Sequence, residues 1–270
     1  MSKIARGFQW FRDITQVVFL DRFNPQRRHL AEAASTACRS LNFHSRCRIR
    51  WLPLAEVLAR LGCPEVPTVT LAGPSTDFGE VGSQTGYHVL GALMQGLRPR
   101  QVLEFGTYLG VSAHAMALNA PPGCRIHTVD LPDQTEAQSR HELDSLDQRH
   151  VATSRQRVGE AFLRSPTREH ITQIRADSLS FRAESVVADV DLVYVDGGHS
   201  RPVIEADTEN AFRVLSPEGT IVWDDYFHLY PDVVEYLDEL AERHELHAIR
   251  GTNYVVYSRR WRKTAADSKP

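Results

Sequence analysis

Hydrophobic and polar positions along the chain form blocks that are typical of strands followed by helices. From residue 100 onward, short apolar runs alternate with segments whose apolar positions recur at helical spacing. The pattern predicts strands at 101–105, 125–129, 171–175, 190–195, 219–223, 246–249 and 254–257, and helices at 86–96, 111–118, 203–214 and 233–243. This alternation favours an α/β fold with a doubly wound, mostly parallel sheet of seven strands. Only four residues separate the last two strands, so we expect an antiparallel hairpin there.

The first part of the chain has a different pattern. Residues 1–62 carry apolar positions at helix-like spacing, and the segment that follows contains glycine and proline residues typical of turns. We therefore predict a helical N-terminal extension over 1–75, a main domain over 76–262 and a disordered polar tail over 263–270. The extension serves as a lid, an oligomer interface or both, and an oligomer with a closing front is favoured. Residues 1–60 also hold ten arginines, whose scatter favours a solvated face over a contact face for an acidic partner.

The bulk properties narrow the class of protein. The chain has 270 residues, a net charge of -3 and 42% hydrophobic residues, which gives no general drive toward nucleic acid or membrane. Its four cysteines form no CxxC pair, which favours reduced thiols. No apolar segment is long enough to span a membrane, and no signal-peptide pattern is present. We expect a cytoplasmic protein.

Acidic clusters follow two of the predicted strands. Asp196 and, three residues later, His199 come after the strand at 190–195, and Asp224 and Asp225 come after the strand at 219–223. If the two strands are neighbours, three carboxylates and an imidazole converge at one edge of the sheet. Carboxylates crowded together repel one another, so this arrangement favours a cation or a bound substrate. The alternative is that Asp224 and Asp225 only cap a turn or helix.

A second group of residues is typical of a nucleoside site. Glu104, Gly106 and Gly110 form an E-x-G-x-x-x-G pattern after the first strand of the main domain, which differs from the G-x-G-x-x-G of a pyrophosphate cradle. Asp130 ends the next strand, where a carboxylate can accept both hydroxyls of a ribose. Asp177 and Ser178 end the third strand, where the adenine of such a ligand would lie.

Taken together, these blocks resemble the class I S-adenosylmethionine-dependent methyltransferases. The resemblance is to the bacterial branch that includes macrolide sugar O-methyltransferases and cephalosporin-hydroxylase-like proteins, and it runs from about Thr76 to Tyr257. It rests on the segments 102–107, 118–121, 128–132, 171–173, 177–178, 195–199 and 223–226. It implies a Rossmann-like sheet with strand order 3-2-1-4-5-7-6 and an antiparallel last strand. The first 65 residues carry no such resemblance.

The resemblance also implies roles for individual residues. The cofactor S-adenosyl-L-methionine would contact Glu104, Gly106, Thr107, Gly110, Asp130, Leu131, Asp177, Ser178 and Asp196. Asp196, Asp224 and Asp225 would bind Mg²⁺, and His199 would serve as the catalytic base. Asp224 stands where some of these enzymes have glutamate, and this shorter side chain puts the coordination of the metal in question.

These observations predict a methyltransferase that performs metal-assisted O-methylation of a small-molecule hydroxyl, on a sugar, a phenol or a natural product. Magnesium would lower the pKa of the hydroxyl, and His199 would remove its proton. The alternatives are a metal-independent methyltransferase acting on RNA or protein, and a non-catalytic S-adenosylmethionine-binding subunit. A nicotinamide-dependent dehydrogenase is disfavoured by the missing G-x-G-x-x-G and the hairpin end. We expect no membrane or nucleic-acid partner, and a homo-oligomer formed through the N-terminal helices.

Overall fold

The structure is a computed structural model that describes residues 47–63, 65, 67–71, 81–132 and 157–261. The chain divides into two compact units. The larger unit comprises Ile49–Tyr226 and Tyr230–Pro270 and contains all the helices and strands described below. The smaller unit comprises Met1–Arg48 with Phe227–Leu229. The predicted helices before residue 47, the 75/76 boundary and the predicted tail lie outside the described residues.

An eight-stranded sheet organises the larger unit. Its strands are β1 (Arg50–Leu52), β2 (Gln101–Phe105), β3 (Arg125–Asp130), β4 (Ile171–Arg175), β5 (Val190–Val195), β6 (Leu215–Trp223), β7 (His247–Ile249) and β8 (Val255–Ser258). The order across the sheet is β4-β3-β2-β5-β6-β8-β7-β1. Only β8 is antiparallel to its neighbours, β6 and β7. The predicted doubly wound, mostly parallel sheet, the relative order of its seven strands and its terminal hairpin are confirmed.

Strand β1 is a correction to the prediction. The sequence assigned residues 50–52 to a helical extension, whereas the structure pairs them in parallel with β7, as the eighth strand. The strand has three residues and is followed by Pro53, so it is too short to produce a period-two pattern. Its conformation is set by pairing with a strand almost 200 residues later, which no local signal reveals.

Helices cover both faces of the sheet. They are α1 (Leu54–Arg60), α2 (Val81–Leu97), α3 (Val111–Leu118), α4 (Glu160–Leu163), α5 (Arg201–Val214) and α6 (Pro231–Leu240). On one face, buried side chains of α1, α2 and α3 form a single core with Val102, Leu192 and Val222. On the other face, Trp223 donates a hydrogen bond from its indole Nε1 to Thr208 on α5, at 2.9 Å. This layering is the doubly wound arrangement that the alternation of strands and helices predicts.

The register of the central strands positions the candidate site residues relative to one another. Phe105 of β2 is paired with Val195 of β5, and Val195 is paired with Trp223 of β6. The residues that follow these three strands therefore emerge side by side at the carboxyl edge of the sheet. Open α/β sheets bind ligands at this edge.

Two further observations concern membrane-spanning helices and cysteine thiols. Among the helices of the described ranges, none combines the length and the apolar character needed to cross a bilayer. Cys63 and Cys124 are buried free thiols, and Cys47 is partly buried. Cys38 lies outside the described residues.

Candidate active site at the carboxyl edge of the sheet

Gly106 allows the ends of β2 and β5 to approach each other closely. Its φ is 94°, and a Cβ atom placed there would lie 1.8 Å from the backbone oxygen of Asp196. The backbone N–H of Gly106 donates to Val129 O on the other side, at 2.8 Å. No side chain can be accommodated at this position, so the turn exposes bare backbone at the sheet edge. Such a turn suits the close approach of a ligand.

Glu104 lies fully buried beneath this turn. Its carboxylate accepts hydrogen bonds from the hydroxyls of Ser112 and Thr128, both at 2.5 Å. Since Thr128 donates to Glu104, the hydroxyl of Thr107, 2.7 Å away, donates to Thr128. Burial raises the pKa of Glu104 to about 7, although the two hydroxyl donors act in the opposite direction. The predicted cofactor residues Glu104 and Thr107 thus belong to one hydrogen-bonded cluster.

Asp130 is held in a defined orientation at the end of β3. Its Oδ2 accepts from the backbone N–H of Tyr108, and its Oδ1 accepts from the N–H of Leu131, both at 2.8 Å. Burial raises the pKa of Asp130, and these hydrogen bonds oppose the rise. A carboxylate has about four acceptor positions, so the two bonds leave capacity for the paired hydroxyls of a ribose.

The predicted adenine residues lie next to Asp130. Ala176, which follows β4, donates its N–H to Asp130 O at 2.9 Å, and Asp177 and Ser178 come directly after it. Asp177 Oδ1 accepts from the N–H of Leu179 at 3.1 Å, which shapes the loop. The predicted cofactor residues on β2, β3 and β4 therefore occupy neighbouring positions along one edge of the sheet.

Asp196 and Asp224 share a donor that the sequence analysis missed. The hydroxyl of Tyr194 lies 3.1 Å from Asp196 Oδ2 and 2.7 Å from Asp224 Oδ2, and 3.3 Å from the hydroxyl of Tyr254. Burial, then repulsion from Asp224 and Asp225, raises the pKa of Asp196 well above its usual range. Burial, then Asp225, raises the pKa of Asp224 to about 7. The expected convergence of acidic residues after β5 and β6 is present.

His199 pairs with Asp225. Its Nε2 lies 2.7 Å from Asp225 Oδ2, and its ring stacks on Tyr230 with centroids 4.0 Å apart and planes at 13°. Asp225 has a φ of 62°, a left-handed conformation that aspartate adopts more readily than most residues. The carboxylate and the stacked ring fix the orientation of a buried imidazole. This arrangement can accept a proton, because the carboxylate stabilises the imidazolium that forms.

The side chains as placed do not fit the predicted magnesium seat. Within the described residues, no three His, Cys, Asp or Glu side chains are arranged to hold one metal ion. The oxygens of Asp224 accept from Tyr194 and from the backbone N–H of Asp225, and Asp225 itself pairs with His199. The carboxylates are thus satisfied by protein donors rather than aimed at a common point. Carboxylate oxygens remain the ligand type that Mg²⁺ prefers, so the metal stays a prediction.

A signal for Tyr194 was available in the sequence. A tyrosine in a strand predicted to be buried on both faces must find a hydrogen-bond partner for its hydroxyl. The chain-neighbouring Asp196, two residues later on the same side of the strand, is the nearest polar candidate. A second missed residue is Asp207, a buried carboxyl on α5 with a pKa that burial raises to about 7.

The chain is similar to known proteins in part of its sequence and in its structure. A family described as a methyltransferase domain matches residues 103–226. Similar solved structures include the methyltransferase PaMTH1 from Podospora anserina, the O-methyltransferase TomG from Streptomyces achromogenes and an O-methyltransferase from Bacillus cereus. Each is 16% identical to this chain; their TM-scores are 0.49, 0.46 and 0.46 respectively. They cover 87%, 81% and 83% of this chain, and 96%, 94% and 96% of their own. No curated protein sequence matches the chain.

The matched segment begins in β2 and ends just after the two acidic residues that follow β6. It therefore contains the glycine turn, Asp130, Ser178 and the pair formed by His199 and Asp225. The predicted class of enzyme, a methyltransferase, is confirmed by this match over residues 103–226.

Proposed function

We propose that the enzyme transfers the methyl group to a hydroxyl oxygen of a small molecule, with His199 as the general base. The observation that carries this proposal is the contact of 2.7 Å between His199 Nε2 and Asp225 Oδ2. This pair lies at the carboxyl edge of the sheet, after the two strands that neighbour each other beside the glycine turn. A sugar or phenol hydroxyl is a poor nucleophile near neutral pH, so its methylation needs a base in this place.

Each part of the site has a task in this reaction. S-adenosylmethionine, when bound, supplies a methyl group on a positively charged sulfur. Glu104 and the Gly106 turn would border the methionine part, and Asp130 would accept hydrogen bonds from the ribose. His199 would take the proton of the acceptor hydroxyl while the oxygen bonds to the methyl carbon and the bond from that carbon to sulfur breaks, and Asp225 would stabilise the imidazolium. Methyl transfer is an in-line displacement, so holding the acceptor in line is the other requirement.

The test combines cofactor binding with turnover. S-adenosylhomocysteine binding is measured by isothermal titration calorimetry, and release of S-adenosylhomocysteine is measured against a panel of sugars, phenols and hydroxylated natural products. With an acceptor found, His199→Ala should lower kcat by about 10²–10⁴-fold and leave the Kd for S-adenosylhomocysteine within about twofold. His88→Ala, which changes an exposed histidine on α2, is the matched control and should retain full activity. Full activity of the His199→Ala variant would refute the assignment of the base.

The same turnover assay tests whether magnesium assists the reaction. The acidic composition of the Asp196, Asp224 and Asp225 cluster supports it, while the pairing of these carboxylates with Tyr194 and His199 opposes it. Loss of turnover in EDTA, restored by Mg²⁺, would establish that the reaction needs a metal. Unchanged turnover in EDTA and in Asp196→Ala would exclude magnesium assistance.

We further propose a small-molecule acceptor and a homo-oligomeric assembly through the N-terminal extension. The net charge of -3 supports an acceptor that is not a nucleic acid. Light scattering coupled to size exclusion measures the assembly directly. A monomer at micromolar concentration would contradict the oligomer.

A further inference from the structure

Asp207 is a buried carboxyl that the proposed mechanism leaves without a task. It lies on α5 and is 1% exposed. Burying a carboxyl group is costly, and burial raises the pKa of Asp207 to about 7. None of the residues that the structure describes donates a hydrogen bond to its Oδ1. An apolar residue would fill this place at lower cost, so the carboxyl is expected to serve the site.

The contacts of Asp207 point toward the carboxyl edge. The hydroxyl of Ser178, in the loop after β4, acts on Asp207 as a hydrogen-bond donor and lowers its pKa against the effect of burial. Its Oδ2 also packs against Gly197, where an added Cβ would lie only 2.5 Å away. One side chain thus supports two segments of the site, the loop that carries the predicted adenine residues and the turn that leads to His199.

A second side chain of α5 anchors the same loop at a point farther along the chain. Asn210, one turn after Asp207, accepts a hydrogen bond from the N–H of Ala183 at 3.0 Å. Its own Nδ2 donates to Ala206 O of the same helix at 3.0 Å and fixes the amide, so the bond from Ala183 holds the connection between β4 and β5 against α5. Asn210 is equally buried, at 2% exposure. The two anchors differ in that only Asp207 touches residues adjoining the ligand edge.

We propose that Asp207 is a positioning residue for the cofactor, which sets the affinity for the nucleoside part of S-adenosylmethionine by orienting Ser178 and the Gly197 turn. This inference rests on the use of S-adenosylmethionine and on the predicted role of Ser178. Ser178 follows the strand next to Asp130, so a displaced Ser178 alters the edge where the nucleoside would bind. Asp207 itself does not touch the reacting atoms.

The test measures S-adenosylhomocysteine binding by isothermal titration calorimetry on the full chain. Asp207→Ala and Ser178→Ala should each raise the Kd about tenfold, and the double variant should raise it no more than either single change. Asp207→Asn should stay within about twofold of the wild-type Kd, because the amide oxygen can still accept from Ser178. Asn210→Ala is the matched control and should lower the melting temperature without changing the Kd. With an acceptor in hand, Asp207→Ala should raise KM for S-adenosylmethionine and leave kcat unchanged.

The outcomes separate this inference from the proposed function. A wild-type protein that does not bind S-adenosylhomocysteine would overturn the use of this cofactor itself. A folded Asp207→Ala variant with wild-type Kd would overturn only the positioning role, and so would an equal loss of affinity in Asn210→Ala. If Asp207→Ala does not fold, Ser178→Ala decides, and an unchanged Kd in that variant refutes the inference.

Discussion

Replacing Gly106 with alanine tests the close approach of the β2 and β5 ends on which the glycine turn depends. The new Cβ would lie 1.8 Å from Asp196 O, a backbone atom that no rotamer change can move. The two segments must therefore separate by more than about 1 Å before the side chain fits. The separation strains the hydrogen bond from Asp196 N to Phe105 O, which is 2.9 Å long.

The magnitude follows from three contributions. A left-handed conformation costs an alanine about 1 kcal/mol, overpacking costs about 1–3 kcal/mol, and a weakened backbone hydrogen bond costs about 1 kcal/mol. Gly123→Ala is the matched control, because Gly123 has a φ of 80° and nothing within 4 Å of an added Cβ. The control should lose about 1 kcal/mol. Gly106→Ala should lose about 3 kcal/mol more than the control.

The assay is thermal unfolding, followed by calorimetric titration with S-adenosylhomocysteine. In a protein of this size about 3 kcal/mol corresponds to a melting temperature lower by about 6 °C or more. The displaced turn should also weaken S-adenosylhomocysteine binding in Gly106→Ala, whereas Gly123→Ala should bind normally. If the two variants unfold at the same temperature and bind the ligand equally well, the close approach does not govern the site.

Two further predictions concern buried polar groups. Burial raises the pKa of Asp207 from 3.8 to about 7. Between pH 3.8 and about pH 7 the folded chain therefore holds a proton that the unfolded chain has lost, and the stability of the folded chain falls as the pH rises. The free energy of unfolding of Asp207→Asn, measured in urea relative to the wild type, should therefore increase by about 3 kcal/mol from pH 5 to pH 8. A difference between the two proteins that does not change with pH would contradict this. Tyr194→Phe should cost about 2 kcal/mol, because Asp196 and Asp224 lose their shared donor. Tyr254→Phe removes only the weaker 3.3 Å contact and should cost less, so equal losses would contradict the bridging role.

The agreement between sequence and structure is highest where local pattern and burial coincide. The predicted strands at 101–105, 171–175 and 190–195 match β2, β4 and β5 residue for residue, because a short apolar run between polar boundaries has one way to be buried in a parallel sheet. Strand β6 begins at Leu215 rather than at 219, since Pro217, Glu218 and Gly219 break the apolar pattern. Helix α6 starts two residues earlier than predicted, at Pro231, a residue favoured at the first helical position.

In the candidate site, too, the sequence predicted some features and missed others. The positions after β2, β3, β4, β5 and β6 were identified from sequence because ligand sites collect at the carboxyl ends of parallel strands. The hydrogen-bond partners of these residues were not identified from the sequence. Tyr194 looked like one more apolar strand residue, and Asp207 like an ordinary polar position on a helix. Their roles depend on which segments pack against them, and such contacts join residues far apart in the chain.

The sequence by itself determined the type of sheet and the edge at which the acidic residues gather, whereas the relative order of seven strands was implied by the resemblance to a known family. The type of sheet follows from periodicity and from short connections, and the edge follows from the position of charged residues after buried strands. Only the tertiary structure decided that β1 joins the sheet, that Tyr194 bridges Asp196 and Asp224, and that Asp225 pairs with His199. The physical reason is that a carboxylate accepts from whichever donor lies within about 3 Å, and distances on that scale are set by packing.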